Sequence, residues 1–412
     1  MIKNKFAILR KTFLLIFVIS FSLSLGYAFG LKGYYLSGES FPKVTISRVT
    51  PEGKELNFSL FWQVWDTLES RYYDKEKIIP AQLVYGAIKG MVAAVGDPYT
   101  VFLPPQENKV VQEDLQGNFD GVGIQIGFIG TQLAVIAPLP DSPAEIAGLK
   151  AGDLIIAIKD EKKNFERATQ GITLPEAVQA IRGPRGSVVT LTIMREGQEE
   201  PLEFDITRAN IDVPSIRVEY VGEEGTIAHI NVLKFGGETK EEWDKAVAEL
   251  LLKPEIIGLV LDVRNNPGGY LQGAADLASD FVDNGKVVVI EEEGNAKIRT
   301  EYKNEKFPRL KNFSAVVLIN KGSASASEIL AGALRDQNDI SLVGEKTFGK
   351  GTIQEPQQLE DGVGLHITIA RWLTPDEVWV DGVGLEPDFA VEDDSETEED
   401  EQLQKAIELL QS

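Results

Sequence analysis

Two short segments hold the residues best suited to chemistry. The first is Lys321-Gly322-Ser323-Ala324-Ser325-Ala326-Ser327-Glu328. It follows an apolar run at 315–319 and precedes a helical pattern whose apolar face is Ile329, Leu330, Ala333 and Leu334. A serine in such a strand-turn-helix sits at a helix N-terminus. Free N–H groups and the positive end of the helix dipole there stabilise a developing oxyanion. Ser325-x-x-Glu328 is equally a capping box, so Ser325 also has a purely structural reading. The second segment is Thr347-Phe348-Gly349-Lys350-Gly351-Thr352-Ile353-Gln354. In an extended backbone Lys350, Thr352 and Gln354 project to one side. A lysine desolvated beside a serine gives up its proton more readily and serves as general base, with Gln354 hydrogen-bonded to its amine. The competing reading of Lys350 is a solvated surface lysine.

A third segment, Asp262-Val263-Arg264-Asn265-Asn266-Pro267-Gly268-Gly269, ends another apolar strand. Its glycines can offer unobstructed N–H groups to an oxyanion, although Asn-Pro-Gly-Gly alone is a common turn. Other chemistries are short of residues. The chain has no cysteine, which excludes thiol nucleophiles, disulfides, cysteine-based zinc sites and an acylated cysteine anchor. Its two histidines, His229 and His366, lie in apolar alternating runs without an acidic neighbour in sequence, so a Ser-His-Asp triad is disfavoured. No metal or cofactor is expected. The net charge of −23 argues against nucleic acid, which requires a basic stripe.

These segments need elements to position them. Short continuous apolar runs at 259–263 and 315–319 suit strands buried on both faces of an α/β sheet. Helical patterns at 243–251, 271–281 and 327–334 alternate with them, and a short helix is expected at 402–410, after an acidic stretch. Before this region, residues 115–208 read as short strands and turns. One amphipathic helix falls there, at Leu174, Ala177, Val178 and Ile181, opened by a Thr173/Glu176 capping box. Earlier still, Phe61, Trp62, Trp65, Leu68 and Tyr72 form a helical stripe, read as core, and residues 81–95 form a second helix. Residues 32–57 read as a linker. Ahead of them, Lys3, Lys5, Arg10 and Lys11 flank an apolar run at 12–31. A run of about 20 residues can span a bilayer, and the flanking positive charge predicts that the rest of the chain lies outside. Tyr27-Ala28-Phe29-Gly30 is a poor cleavage site, which favours an uncleaved anchor.

Taken together, the motifs resemble those of the C-terminal processing peptidases, or tail-specific proteases. The resemblance covers nearly everything after residue 56. It includes Gly96-Asp97-Pro98-Tyr99-Thr100, the Arg-Asn-Asn-Pro-Gly-Gly turn, the serine elbow and the Thr-Phe-Gly-Lys-Gly segment. It also includes Thr374-Pro375 and the run Gly382-Val383-Gly384-Leu385-Glu386-Pro387-Asp388. The resemblance implies Ser325 as nucleophile, Lys350 as general base and Gln354 as its orienting partner. The oxyanion hole would use the N–H of Ala326 and of Gly268 or Gly269, with Gly269 preferred. The middle region resembles a PDZ domain of the bacterial type, with Gly121, Val122, Gly123 and Ile124 as the loop that takes a peptide carboxylate. Ser142-Pro143-Ala144 through Gly148-Leu149-Lys150-Ala151-Gly152-Asp153 matches its next turn. Arg182 is a candidate relay to Gln354 or its neighbours; a charged surface turn is the alternative.

The implied fold class is α/β (α+β multidomain). A crotonase- or caseinolytic-protease-like catalytic core would carry an inserted PDZ β-domain and an N-terminal helical region. The expected boundaries are 1–35 anchor, 36–110 linker and helices, 111–208 PDZ, 209–392 catalytic, and 393–412 acidic tail and helix. The expected function is a Ser/Lys endopeptidase that cleaves exported proteins near their free C-termini, its PDZ domain binding the substrate tail, tethered on the extracytoplasmic side of the membrane. A homodimer or regulatory partner is left open. The rival is a membrane-tethered PDZ adaptor with a degenerate peptidase core, which the intact Ser325, Lys350 and Gln354 set disfavours.

Overall fold

The computed structural model describes residues 17–25, 27, 34–40, 43–48, 57–139, 142–162, 165–172, 174–198, 200–294, 298–392 and 399–411. The chain divides into two compact units, Met1–Val84 and Tyr85–Ser412.

In the first unit residues 17–25 are helical, and β1 (Tyr34–Ser40) pairs antiparallel with β2 (Lys43–Arg48). A hairpin therefore occupies much of the expected linker. Most of the expected anchor lies outside the described residues, and among those described no helix is long and apolar enough to cross a membrane. Helix α1 (Ser59–Arg71) carries the predicted aromatic stripe, but no residue of α1 is buried. That stripe is not core. Its rings lie mainly on one another, with Phe61 and Trp62 centroids 5.0 Å apart. The physical reason is that helical spacing sets which face is apolar without supplying anything to cover it.

The unit boundary falls within helix α2 (Pro80–Ala93). Its last turns pack Val92 against Phe102 of β3 (Val101–Leu103) and Val363. Helix α3 (Pro105–Gln116) starts on proline, which is preorganised for a first turn, and ends at Gly117 in the left-handed conformation. The PDZ region follows. Strands β4 (Asn118–Gly121), β5 (Ile124–Ile129) and β6 (Gln132–Pro138) lead to the short helix α4 (Pro143–Ile146). Then come β7 (Leu154–Asp160), β8 (Phe165–Ala168), helix α5 (Leu174–Ile181), β9 (Val188–Met194), β10 (Leu202–Thr207) and β11 (Ala209–Asp212). The sheet order is β10-β9-β7-β6-β5, with β8 beside β7 and a separate β11-β4 pair. Ala177 and Ile181 of α5 are buried against Leu133, Ile155, Leu191 and Ile193, as the amphipathic spacing predicts. Thr173 of the expected capping box lies outside the described residues.

The remaining elements build the second core. They are β12 (Ile216–Val221), β13 (Ile227–Val232), α6 (Thr239–Leu250), β14 (Gly258–Asp262), α7 (Leu271–Ala278), β15 (Val287–Glu293), β16 (Ile298–Lys303), β17 (Ser314–Ile319), α8 (Ala326–Asn338), β18 (Ser341–Gly344), β19 (Thr352–Gln358), β20 (Gly364–Leu373), β21 (Phe389–Ala390) and α9 (Glu401–Gln411). One sheet runs β12-β13-β14-β17-β18-β21, parallel from β13 onward. Every residue of β14 is buried because helices cover both faces: α6, α7 and α8 on one side, α9 on the other. A second, antiparallel sheet runs β16-β15-β20-β19, and β3 adds to β20.

Candidate active site

The first sheet sets two strand ends side by side, because β14 and β17 are parallel and in register from Gly258/Ser314 to Asp262/Leu318. The Asn-Pro-Gly-Gly turn leaves β14 and the serine elbow leaves β17. Asn266, fully buried, joins them. Its Nδ2 donates to Val232 O at 2.6 Å, and its Oδ1 accepts the Gly268 N–H at 2.9 Å. Its carbonyl accepts the Ala324 N–H and the Ser327 hydroxyl.

The three serines of the elbow separate cleanly. Ser323 and Ser327 are fully buried, with hydroxyls donating to Val263 O and Asn266 O. Ser325 alone lines an open cavity of about 460 Å³. Its backbone is strained, at φ 55° and ψ −112°, a region that non-glycine residues rarely occupy. The Ser325–Glu328 capping box forms, with Glu328 Oε2 accepting the Ser325 N–H at 2.8 Å.

Glu328 does more than cap. It is fully buried, and its two oxygens also accept the Lys350 N–H at 2.9 Å, the Gly349 N–H at 2.7 Å and the Thr347 hydroxyl at 2.6 Å. One carboxylate thus fixes the serine elbow and the lysine loop to each other.

Lys350, Thr352 and Gln354 line the same cavity as Ser325. Burial holds the Lys350 amine below its ordinary pKa, while Asp97 and Glu328 pull the other way. Its Nζ makes no hydrogen bond among the described residues and lies 4.9 Å from the centroid of the Tyr99 ring. Ser325 and Lys350 are therefore neighbours in one cavity without a hydrogen bond between them. Gln354 does not hold the amine here. Its Nε2 donates to Thr352 Oγ1 at 2.9 Å and Thr368 Oγ1 at 3.2 Å. The Gly-Asp-Pro-Tyr-Thr segment backs this group. Thr100 Oγ1 donates to Asp97 Oδ2 at 2.6 Å and accepts the Thr368 N–H at 3.1 Å. Burial works against the Asp97 carboxylate, but hydrogen bonds from Thr100, Thr368 and the Tyr99 N–H outweigh it and keep its pKa low.

The two glycines of the turn differ. The Gly268 N–H is taken by Asn266, whereas the Gly269 N–H has no acceptor among the described residues. The Ala326 N–H begins α8 and has no intrahelical acceptor. A Cβ on Gly268 would fall 2.9 Å from Ser325 Cβ and 3.0 Å from Ala326 N, so the turn touches the elbow.

In the PDZ region Gly121 ends β4, Ile124 begins β5, and the N–H groups of Val122 and Gly123 between them lack acceptors among the described residues. Ser142 fastens the loop by donating to Gly123 O at 2.9 Å. Arg182 does not reach Gln354. It bonds Asp114 at 2.8 Å, approaches Glu113 at 3.8 Å and covers the Phe119 ring at 4.1 Å. It therefore meets α3, whose Val111, Asp114 and Leu115 line the cavity.

His366 lines the cavity, and burial together with Lys350 lowers its pKa. His229 does have an acidic partner, on the neighbouring strand and invisible at short sequence range: Nε2 lies 3.0 Å from Asp262. Asp262 also pairs with Arg264, which reaches Asp400 ahead of α9. The residues that sequence reasoning undervalued are Asn266, Glu328 and Tyr99. All three stand inside quoted motifs, but their partners are distant.

Comparison with known proteins agrees with this architecture. Residues 226–391 match peptidase family S41, residues 135–195 a PDZ domain, and residues 30–106 the N-terminal domain of the activating protease CtpB. The chain is 38% identical over 319 residues to the carboxy-terminal processing protease CtpB of Bacillus subtilis (strain 168), spanning 77% of this chain and 64% of that protein. It is 35% identical over 328 residues to a CtpA-like serine protease of Staphylococcus epidermidis, spanning 80% and 64%. The chain thus spans about 64% of the length of these curated relatives. Among solved structures, the photosystem II D1 C-terminal processing protease superposes with a TM-score of 0.50 at 28% identity, covering 86% of this chain and 97% of that one. An S41 protease from Bacteroides fragilis shares the fold, with a TM-score of 0.53 at 16% identity and coverage of 84% and 93%. Residues 226–391 thus match peptidase family S41 and residues 135–195 a PDZ domain, in the order the motifs predict.

Proposed function

We propose that the chain is a serine endopeptidase with a Ser325/Lys350 dyad that cuts proteins near their C-termini. One observation carries the reading: the cavity that exposes Ser325 is also lined by Lys350, whose pKa burial lowers, and by Gly269, whose N–H has no acceptor among the described residues, with the Ala326 N–H next to Ser325 in the chain. Neutral Lys350 takes the Ser325 proton as Oγ attacks the scissile carbonyl carbon. The N–H groups of Ala326 and Gly269 receive the oxyanion. The tetrahedral intermediate collapses, the C–N bond breaks, and Lys350 gives the proton to the leaving amine. Water then resolves the acyl-enzyme, with Lys350 again as base. Gln354 orients Lys350 once substrate brings the amine to Ser325, since catalytic hydrogen bonds often tighten only in the complex. Val111, Leu115, Leu271 and Ile353 line the cavity and suit an apolar side chain beside the scissile bond. The PDZ loop Gly121–Ile124 holds the free carboxylate of the tail, Arg182 relays its occupancy through α3, and the N-terminal apolar run tethers the enzyme outside the membrane.

The test is cleavage of an unfolded reporter with an apolar tail by the fragment starting at residue 36. Wild type should cut. Ser325→Ala and Lys350→Ala should each lose about 10⁴-fold in kcat/KM while keeping the native thermal transition. Equal cutting by all three removes the dyad.

A further inference from the structure

Lys234 is a second lysine in the catalytic cavity, and the mechanism leaves it without a task. It lines the same space as Ser325 and Lys350. It precedes Phe235, whose N–H donates to Gly268 O and whose carbonyl accepts the Tyr270 N–H. Lys234 is therefore one residue from the backbone that holds the oxyanion turn.

Burial lowers the pKa of this amine while Glu242, Asp212 and Asp114 pull it back up, and the amine is left unpaired among the described residues. Its Nζ lies beside the C-terminal end of α3: a Cβ on Gly117 would fall 2.9 Å from it. A helix C-terminus favours a cation. Two of the carbonyls there are engaged elsewhere: Glu113 O accepts the Gly117 N–H and Leu115 O accepts the Gly237 N–H. Of the carboxylates that act on it, Glu242, Asp212 and Asp114, two are engaged elsewhere. Glu242 accepts the Ser215 and Ile216 N–H groups at 2.6 and 2.8 Å, and Asp114 accepts Arg182 at 2.8 Å. Among the described residues Lys234 Nζ has neither a hydrogen bond nor an ion pair. A half-buried ammonium has three donors to satisfy, and Lys234 lines the cavity. The chain as a whole carries −23, so an acidic peptide meets general repulsion and needs a local cation to seat it.

We infer that Lys234 is a substrate subsite for a carboxylate, placed within the catalytic cavity and separate from the carboxylate loop of the PDZ domain. The inference rests on the peptidase reading for its consequence but not for its binding. The carboxylate has two sources, an Asp or Glu side chain near the scissile bond or the C-terminus of a short peptide. Lys234 touches the substrate and not the reacting atoms, so its loss changes selection without removing turnover.

The experiment uses the soluble chain from residue 36 and a set of otherwise neutral, apolar peptides. A single Glu or Gln is walked through the sequence, and each peptide is made with a free or an amidated C-terminus. Cleavage is measured with wild type, Lys234→Met, Lys234→Arg and Lys234→Glu. Binding is measured separately by anisotropy on Ser325→Ala with and without Lys234→Met, so that absence of turnover does not silence the test. Wild type should favour one carboxylate-bearing peptide by about tenfold, the scale of one charge-assisted hydrogen bond. Lys234→Arg should keep the preference, Lys234→Met erase it and Lys234→Glu reverse it, with neutral peptides cut at the wild-type rate. A preference that follows Glu identifies a side-chain subsite, and one that follows the free terminus identifies a terminal subsite. An unchanged ranking in Lys234→Met, in cleavage or in binding, overturns the inference. So does loss of cleavage of neutral peptides in folded Lys234→Met, which would make Lys234 part of the proton-transfer machinery.

Discussion

Gly123 of the PDZ loop and Gly269 of the Asn-Pro-Gly-Gly turn both sit at positive φ, 75° and 140°, in loops with N–H groups that lack acceptors among the described residues. Their supports differ. The PDZ loop is tied by contacts with its own domain: Ser142 Oγ and the Leu139 N–H on Gly123 O, and the Ala144 N–H on Val122 O. The catalytic turn is bound to strands and loops far along the chain. Asn266 joins Val232, Ala324 and Ser327, Phe235 joins Gly268 and Tyr270, and Glu328 fixes the opposing elbow. A peptide carboxylate arrives with its charge complete and can settle a loop around itself. An oxyanion exists only in passage, so its donors must already be in place. The long-range supports are what a transient anion demands.

Breaking the support of the catalytic turn should therefore cost rate, and breaking the PDZ loop should cost affinity. The largest effect is expected from Glu328→Gln. A carboxylate accepts all four donors around it, whereas an amide would present its own N–H₂ to two of them. Both the elbow and the lysine loop would shift, and kcat should fall about 10³-fold. Binding of a tail peptide to the PDZ loop should be unchanged. A kcat within threefold of wild type would show that Glu328 is only a cap. Next is Gly269→Ala. The new Cβ would lie 2.1 Å from Phe235 O, a backbone atom with nowhere to go. Loss of one oxyanion donor predicts about a 10²-fold fall in kcat, again with tail affinity intact and a lowered thermal midpoint.

Gly123→Ala tests the other side. Its Cβ would meet Ser142 Cβ at 2.3 Å, so the loop must open, at the scale of local backbone strain. Tail affinity should weaken about tenfold, while short peptides that bypass the PDZ domain should be cut at the wild-type rate. A fall in short-peptide turnover would mean that the two loops are coupled, with the Arg182 contacts to α3 as the connection to examine.

What could be read from the sequence followed the range of the interaction. That Ser325, Lys350 and Gln354 would share one cavity was legible because each stands in a contiguous motif with a fixed local geometry. The same holds for the buried strands β14 and β17 and for the α5 stripe. Partners made by tertiary contact were not legible. Glu328 announced itself only as a cap, because the N–H groups of Gly349 and Lys350 lie more than 20 residues on. His229 found Asp262 through the β13–β14 pairing, which no local pattern encodes. The aromatic stripe of α1 misled because helical spacing says which face is apolar, not whether anything covers it. The difference between Gly268, whose N–H is taken, and Gly269 turns on the Asn266 side chain, which sequence alone does not orient.

The smallest expected effect sharpens the comparison most, because proton transfer belongs to one loop and not to the other. Burial lowers the Lys350 pKa, and Asp97 and Glu328 partly restore it. In the proposed mechanism the active form is the neutral amine, so kcat/KM should rise with pH through that lowered value and plateau above it. The same shift makes the unfolded chain hold the proton more tightly than the folded one, so this group favours folding more as pH rises toward 10.5. The groups facing Lys350 are Asp97 before β3, Glu328 on α8, His366 on β20 and the Tyr99 ring. The ring face stabilises the charged amine, so Tyr99→Leu, which keeps an apolar wall, should lower the acid limb by about half a unit. Tyr99→Phe should leave the limb where it is. A rise in the limb for Tyr99→Leu would mean that water enters and that the ring serves mainly to exclude it. Tail binding at Gly121–Ile124 should stay flat over the same pH range, since no group of that loop titrates there.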